Sequence, residues 1–134
     1  MATGLENLKV YQLAEQLEIE VHNLTKNFPR DELFRSVDQL RRSSSSVSNN
    51  IAEAYNRQSV KAKIHIINDI AKGEAEETKR NLTVCAKKGF HNNQEIINKY
   101  TELIMAISGY IRFLRKNILI KIKQKILLKI KKKI

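Results

Sequence analysis

Arg35, Arg41 and Arg42, followed by Arg57, Lys61 and Lys63, are the residues whose types and spacing point to a chemistry, that of holding phosphate. Guanidinium and ammonium groups gain affinity for a nucleic-acid backbone through counterion release, without reading bases. Arg35 and Arg42 stand seven apart and share a face if their segment is helical. A solvated charged surface is the alternative, because Asp31, Asp38 and Asp69 lie close by in the sequence. Tyr11, Tyr55, Tyr100 and Tyr110 do not form the stacking platform of sheet-based RNA binders, so charge and shape would have to carry any recognition.

Catalysis needs groups that converge, such as a nucleophile beside a base or metal ligands at helical spacing. His22, His65 and His91 are isolated, with no HxxxH or ExxH arrangement. Cys85 falls on an apolar stripe and is expected to be a packing residue rather than a thiolate. Glu74, Glu76 and Glu77 have Lys72, Lys79 and Arg80 at pairing distance along a helix and are expected to form a solvated face. The glycines at 4, 73, 89 and 109 are solitary, so no phosphate-cradling loop exists; Gly73 and Gly109 are close-packing positions or merely tolerated. The expectation is a protein that is not an enzyme and has no cofactor, metal or small-molecule substrate.

The net charge of +11 favours a polyanionic partner, yet seven lysines of residues 117–134, which hold no acid, account for all but +4 of it. With a single cysteine and no basic-then-apolar start, the chain is expected to be cytoplasmic. No apolar run approaches the roughly 20 residues that span a bilayer. A membrane partner is therefore not expected, beyond contact of the basic tail with a membrane surface.

These residues must be positioned by helices, since one proline and four glycines are too few to punctuate a turn-rich β fold. Val10, Leu13, Ala14, Leu17, Val21, Leu24 and Phe28 recur at helical spacing ahead of Pro29. Leu33, Val37, Leu40, Ser44, Val47, Ile51 and Ala54 do so next, and the periodicity runs through Ser43 to Ser46, which favours a helix with a small-residue face over a linker. Ile64, Ile67, Ala71, Ala75, Thr78, Leu82 and Cys85 form a third stripe, capped by Gly89. A fourth carries paired apolar residues at Ile96/Ile97, Leu103/Ile104, Tyr110/Ile111 and Phe113/Leu114. The spacing predicts helices over 8–28, 31–57, 59–88 and 93–116, in an all-α, antiparallel up-and-down four-helix bundle. The fourth stripe is wider than one core needs, and Ile66 and Ile70 lie beside the third, which predicts a subunit contact.

The segment QLRRSSSSVSNNIAEAYNR, Gln39 to Arg57, resembles the signature of the four helix bundle protein family, also called the ribosomal RNA intervening sequence protein family. KVYQLAEQL at Lys9 to Leu17, NFPRDELF at Asn27 to Phe34 and INDIAKGEAEE at Ile67 to Glu77 look like its other blocks, in order. Ser48 stands where a proline is expected, and Ala54 and Asn56 where glycines are usual, which removes the basis for a kink in the second helix. The resemblance implies a bacterial protein, encoded in an intervening sequence of a large-subunit ribosomal RNA gene and assembled as a ring-shaped homopentamer. A related branch, the accessory variability determinants of diversity-generating retroelements, assists a reverse transcriptase and binds nucleic acid. Asn50 and Glu53 match polar positions of the signature, and the expectation for them is a structural role across helices or subunits, with ligand contact as the alternative.

Residues 1–117 thus read as the bundle domain and 118–134 as an Ile/Lys-rich basic tail. The tail alternates isoleucine or leucine with lysine, a period of two that predicts a strand or an unsettled extension. The functional expectation is a homo-oligomer that binds RNA or DNA through basic surface. The alternative is a structural or protein-binding module, including an accessory to a reverse transcriptase.

Overall fold

The computed structural model describes residues 4–133. Met1–Thr3, part of the stretch read above for a signal segment, and Ile134, the last apolar residue of the tail, lie outside the described residues. Four helices form: α1 (Lys9–Thr25), α2 (Asp38–Asn56), α3 (60–87) and α4 (Gln94–Lys133), with no strand among the described residues. α1 and α3 each pack against both α2 and α4. Contacts set the directions, since Thr25 and Glu18 of α1 bond Arg41 and Ser48 of α2 respectively, one position falling as the other rises. Ser43 with Thr78 and Tyr55 with Lys63 show the same sense for α2 and α3, and Glu20 with Lys99 and Phe28 with Phe90 for α1 and the chain entering α4. The helices are antiparallel around one core, in which Leu17, Leu40, Ile51, Leu82, Leu103 and Ile107 are fully buried.

α1 ends at Thr25, short of Pro29. The amides of Lys26, Asn27 and Phe28 donate to carbonyls three residues back, so the last turn tightens before the proline. α2 starts at Asp38 rather than near 31. Arg30–Glu32 form one tight turn and Leu33–Val37 a wide π turn broken at Arg35, where φ is −121° and ψ −105°. The break resets the helical phase, and Leu33, which its spacing placed inward, is left exposed while Val37 and Leu40 face the core. α2 then runs without interruption through the serines and past Ser48.

α3 opens on Ser59, whose hydroxyl accepts the amide of Ala62 at 3.0 Å. A π turn at Ile67–Ala71 inserts an extra residue into its middle. The phase shift corrects one expectation: Ile66 is buried in the chain's own core, and only Ile70 remains open. At the far end Gly89 adopts φ +84°, its amide donating to Ala86 and that of Phe90 to Cys85, both at 3.0 Å, the two bonds of a Schellman cap. A Cβ there would meet nothing within 4 Å, so only the backbone conformation resists substitution. Gly89→Ala is expected to lower stability by about 1–2 kcal/mol in urea titration, and an unchanged midpoint would show that the cap is dispensable. Gly73 and Gly109 are tolerated rather than needed for close packing within the chain, since a Cβ at Gly73 meets nothing within 4 Å and at Gly109 only the Arg112 guanidinium at 3.6 Å.

His91 ties the last connection by bonding the Leu82 carbonyl through Nε2 at 2.8 Å and accepting the Asn93 amide at Nδ1 at 3.0 Å, while Phe28 stacks on its ring. Asn93 caps α4 through the Ile96 amide. The tail is no strand: α4 continues as one helix to Lys133. Propagating a formed helix avoids the nucleation cost, lysine and leucine favour it, and a lone strand would leave its backbone without a ladder partner. No helix of the described residues is long and apolar enough to cross a membrane.

Candidate nucleic-acid interface

The outward face of α2 carries the polar chemistry of the bundle. From Arg42, helical spacing brings Ser46, Asn49 and Glu53 into one row, with Arg41, Ser45 and Asn50 beside them. Together they line a shallow groove of roughly 560 Å³. The asparagines of this face satisfy their side chains within the helix, Asn49 donating to the Ser45 hydroxyl at 3.1 Å and Asn50 to the Ser46 carbonyl at 2.7 Å and hydroxyl at 3.0 Å. On the inward side small size serves packing. Ser43, Ser44 and Ser48 are buried, Ser43 lies 2.7 Å from the Thr78 hydroxyl, and Ser48 donates to the Glu18 carboxylate.

The six basic candidates do not form one patch. Arg35 lies just before α2, Arg41 and Arg42 in its first turns, and Arg57, Lys61 and Lys63 beyond its end, so that Arg42 and Arg57 stand roughly 22 Å apart along the helix. Several are partly committed. Arg41 donates from Nε to the Thr25 hydroxyl at 2.9 Å and so clamps the end of α1. Arg57 pairs with Glu53 at 2.6 Å. Lys63 donates to the Tyr55 carbonyl at 3.1 Å and sits 5.2 Å from that ring's centre. Arg42 pairs with Asp38 at 3.2 Å yet leaves 77% of its side chain accessible, and an exposed pair of this kind holds its partner weakly. Arg35 and Lys61 are exposed.

Arg42 is the residue on which the grooves meet. It lines a second one with Arg35 and Lys88, among Glu32 and Asp38, and a third with Gln39, Glu74 and Glu77. Burial, and then the neighbouring Glu77, hold the Glu74 carboxyl above its ordinary pKa. The hydroxyl and amide donors Ser45, Ser46 and Asn49 join the candidate groove beyond the basic residues that the sequence singles out. The three- and four-residue steps from Arg41 and Arg42 were the signal available for them. Lys88 carried no such signal, because it reaches the groove through the fold. Asn50 bonds back to Ser46 within α2 and Glu53 pairs with Arg57 just past its end, so among the described residues neither bonds to another helix. Cys85 is buried, and burial pushes its thiol pKa up, away from the reactive thiolate.

No curated protein sequence matches the chain. A solved structure from Bacteroides thetaiotaomicron, described as a protein with unknown function from the S23 ribosomal protein family, aligns with a TM-score of 0.69 at 27% identity, covering 77% of this chain and 95% of that one. The profile described as 23S rRNA-intervening sequence protein matches residues 6–111. That match takes in α1, α2, α3 and most of the packed part of α4, and stops short of the lysine-rich extension. By this match the chain belongs to the 23S rRNA-intervening sequence protein family.

Proposed function

We propose that the chain is a non-enzymatic, cytoplasmic homo-oligomer that holds RNA or DNA by its phosphate backbone along α2. The observation that carries this reading is the composition of the α2 groove. It offers the exposed Arg42 guanidinium, with that of Arg41 held to Thr25 at its edge, two hydroxyls and two carboxamides, and its one carboxylate, Glu53, is paired with Arg57. Such donors position a nucleic acid without specifying its sequence. Assembly is supported by Ile70, Met105 and Phe113, which leave apolar surface open beside the core stripes of α3 and α4. Repeating a modest patch by symmetry raises its effective concentration, and the resemblance drawn from the sequence implies a ring of five.

The test is the double variant Arg42→Ala/Asn49→Ala in the full chain, titrated with a structured RNA while salt is varied. Affinity is expected to fall about tenfold, with a salt slope smaller by about 1, the signature of one lost phosphate contact. Identical affinity and slope in variant and wild type would defeat the reading. A second reading, a protein-binding module such as an accessory to a reverse transcriptase, is favoured by one observation: Phe34 is 88% exposed beside the open Leu33. Phe34→Ala leaves RNA affinity unchanged on the first reading and removes protein capture on the second.

A further inference from the structure

The face by which α4 packs into the bundle is Leu103, Ile107, Ile111 and Leu114. Continued at helical spacing, that face reaches Ile118 and then Lys121, Lys125, Lys129 and Lys132. Beyond Ile118 the stripe is cationic, so the extension has no means of packing back on its own bundle. Apart from Leu128, which stands among the lysines, its exposed aliphatic residues gather further round the helix. Leu119, Ile122, Ile126 and Ile130 recur at steps of three, four and four, with Ile120 and Leu127 at the edge, and each leaves about half its surface open. No acidic residue follows Glu102, whereas Arg112, Arg115 and Lys116 precede the seven lysines. The extension is therefore an amphipathic helix with an uncovered aliphatic seam and a flank of one charge sign.

We propose that this seam docks on an anionic lipid membrane surface, the aliphatic side chains entering the boundary between headgroups and acyl chains and the lysines meeting the phosphates. Charge complementarity selects this occupant. A second copy of the stretch that follows Glu102 would bring ten further cations and no acid, without the opposite-sign flanks that pair coiled coils. Nucleic acid would match the lysines but leave the seam in water. A membrane interface satisfies both faces. Lys123 and Lys133, which fall within the aliphatic arc, have stems long enough to carry their ammonium groups out to the headgroups. The helix lies on the membrane rather than through it, in keeping with the absence of a spanning helix among the described residues. This surface is separate from the α2 groove and stands whether or not that groove binds nucleic acid.

Two full-chain variants test it. In Ile122→Gln/Ile126→Gln/Ile130→Gln every lysine is kept and glutamine maintains helix propensity. Wild type is expected to float with vesicles of equimolar phosphatidylglycerol and phosphatidylcholine and not with phosphatidylcholine alone. The triple variant is expected to lose about tenfold or more of that binding while keeping its RNA affinity and its native mass. Equal flotation of variant and wild type would reduce the contact to charge alone and overturn the proposal. A parallel loss of RNA binding, or a smaller native mass, would overturn it too, by making the seam a nucleic-acid or subunit contact. Since the chain has no tryptophan, Ile126→Trp reports burial directly. Its emission is expected to shift to the blue on adding the anionic vesicles and not on adding RNA, and the absence of a shift with vesicles likewise overturns the proposal.

Discussion

Leu103→Ala is expected to lower the unfolding free energy by about 2–5 kcal/mol, a large fraction of the 5–15 kcal/mol typical of a domain. Leu103 is fully buried on the core face of α4, among the inward residues of α1, α2 and α3. Truncation removes its transfer energy and leaves a cavity that antiparallel helices locked by cross-links such as Lys99 to Glu20 cannot collapse to fill. Met105→Ala, two residues on, is the control. That side chain is 67% exposed, so its change is expected to stay within about 0.5 kcal/mol in the isolated subunit. Urea titration at fixed protein concentration measures both, because subunit association makes apparent stability depend on concentration. If Leu103→Ala unfolds at the wild-type midpoint, α4 is not packed as described. A Met105→Ala penalty that grows with protein concentration identifies the outer face of α4 as a subunit contact.

The difference between these two neighbours was legible in the sequence, as was most of the bundle. The stripe Val10, Ala14, Leu17, Val21 is buried as its spacing requires, and so are Ala71, Ala75, Thr78, Leu82 and Cys85. Periodicity failed where the backbone left α geometry. The break at Arg35 turned Leu33 outward, and the π turn at Ile67–Ala71 brought Ile66 in, because one extra residue rotates everything beyond it by about a quarter of a turn. Neither event has a residue signature such as proline or glycine, so a rule of fixed 3.6-residue steps had no means of finding it. In the tail the alternation of isoleucine and lysine satisfied a strand pattern, but a strand needs a partner and a helix needs only the turn before it.

The candidate site was legible as a helix and not as a patch. Arg41 and Arg42 are adjacent in sequence and differ in fate. One reaches α1, where Thr25 engages it, and only edges the α2 groove; the other points out and lines three grooves. A step of about 100° along the helix separates an arginine held against α1 from one left exposed, and only the position of α1 decides which is which. The same step explains the alternation within the serines. Ser43, Ser44 and Ser48 serve close helix packing, while Ser45 and Ser46 face the groove.

Above about pH 10, stability is expected to fall more steeply in the wild type than in Tyr100→Phe, by about 1.4 kcal/mol per pH unit. Tyr100 is 1% exposed on the core face of α4. Burial raises its phenol pKa well above the ordinary value near 10, and the charges of Glu18 and Glu20 on α1 push in the same direction. Below pH 10 the phenol is protonated in both folded and unfolded chains, so its contribution is constant and fully present. Above pH 10 the unfolded chain gives up the proton first, and the folded state loses ground with every further unit until its own raised pKa is reached. Lysines deprotonate in the same range, and Tyr110, raised mainly by burial, and Tyr11, raised mainly by its hydrogen bond to Glu15, add smaller slopes of the same sign. The difference between wild type and Tyr100→Phe isolates one group, since phenylalanine keeps the ring and removes the titration. Urea midpoints at pH 9, 10 and 11 give the answer: parallel curves for the two proteins would mean that the phenol ionises as freely in the folded bundle as in the unfolded chain, and that α4 does not bury it against α1.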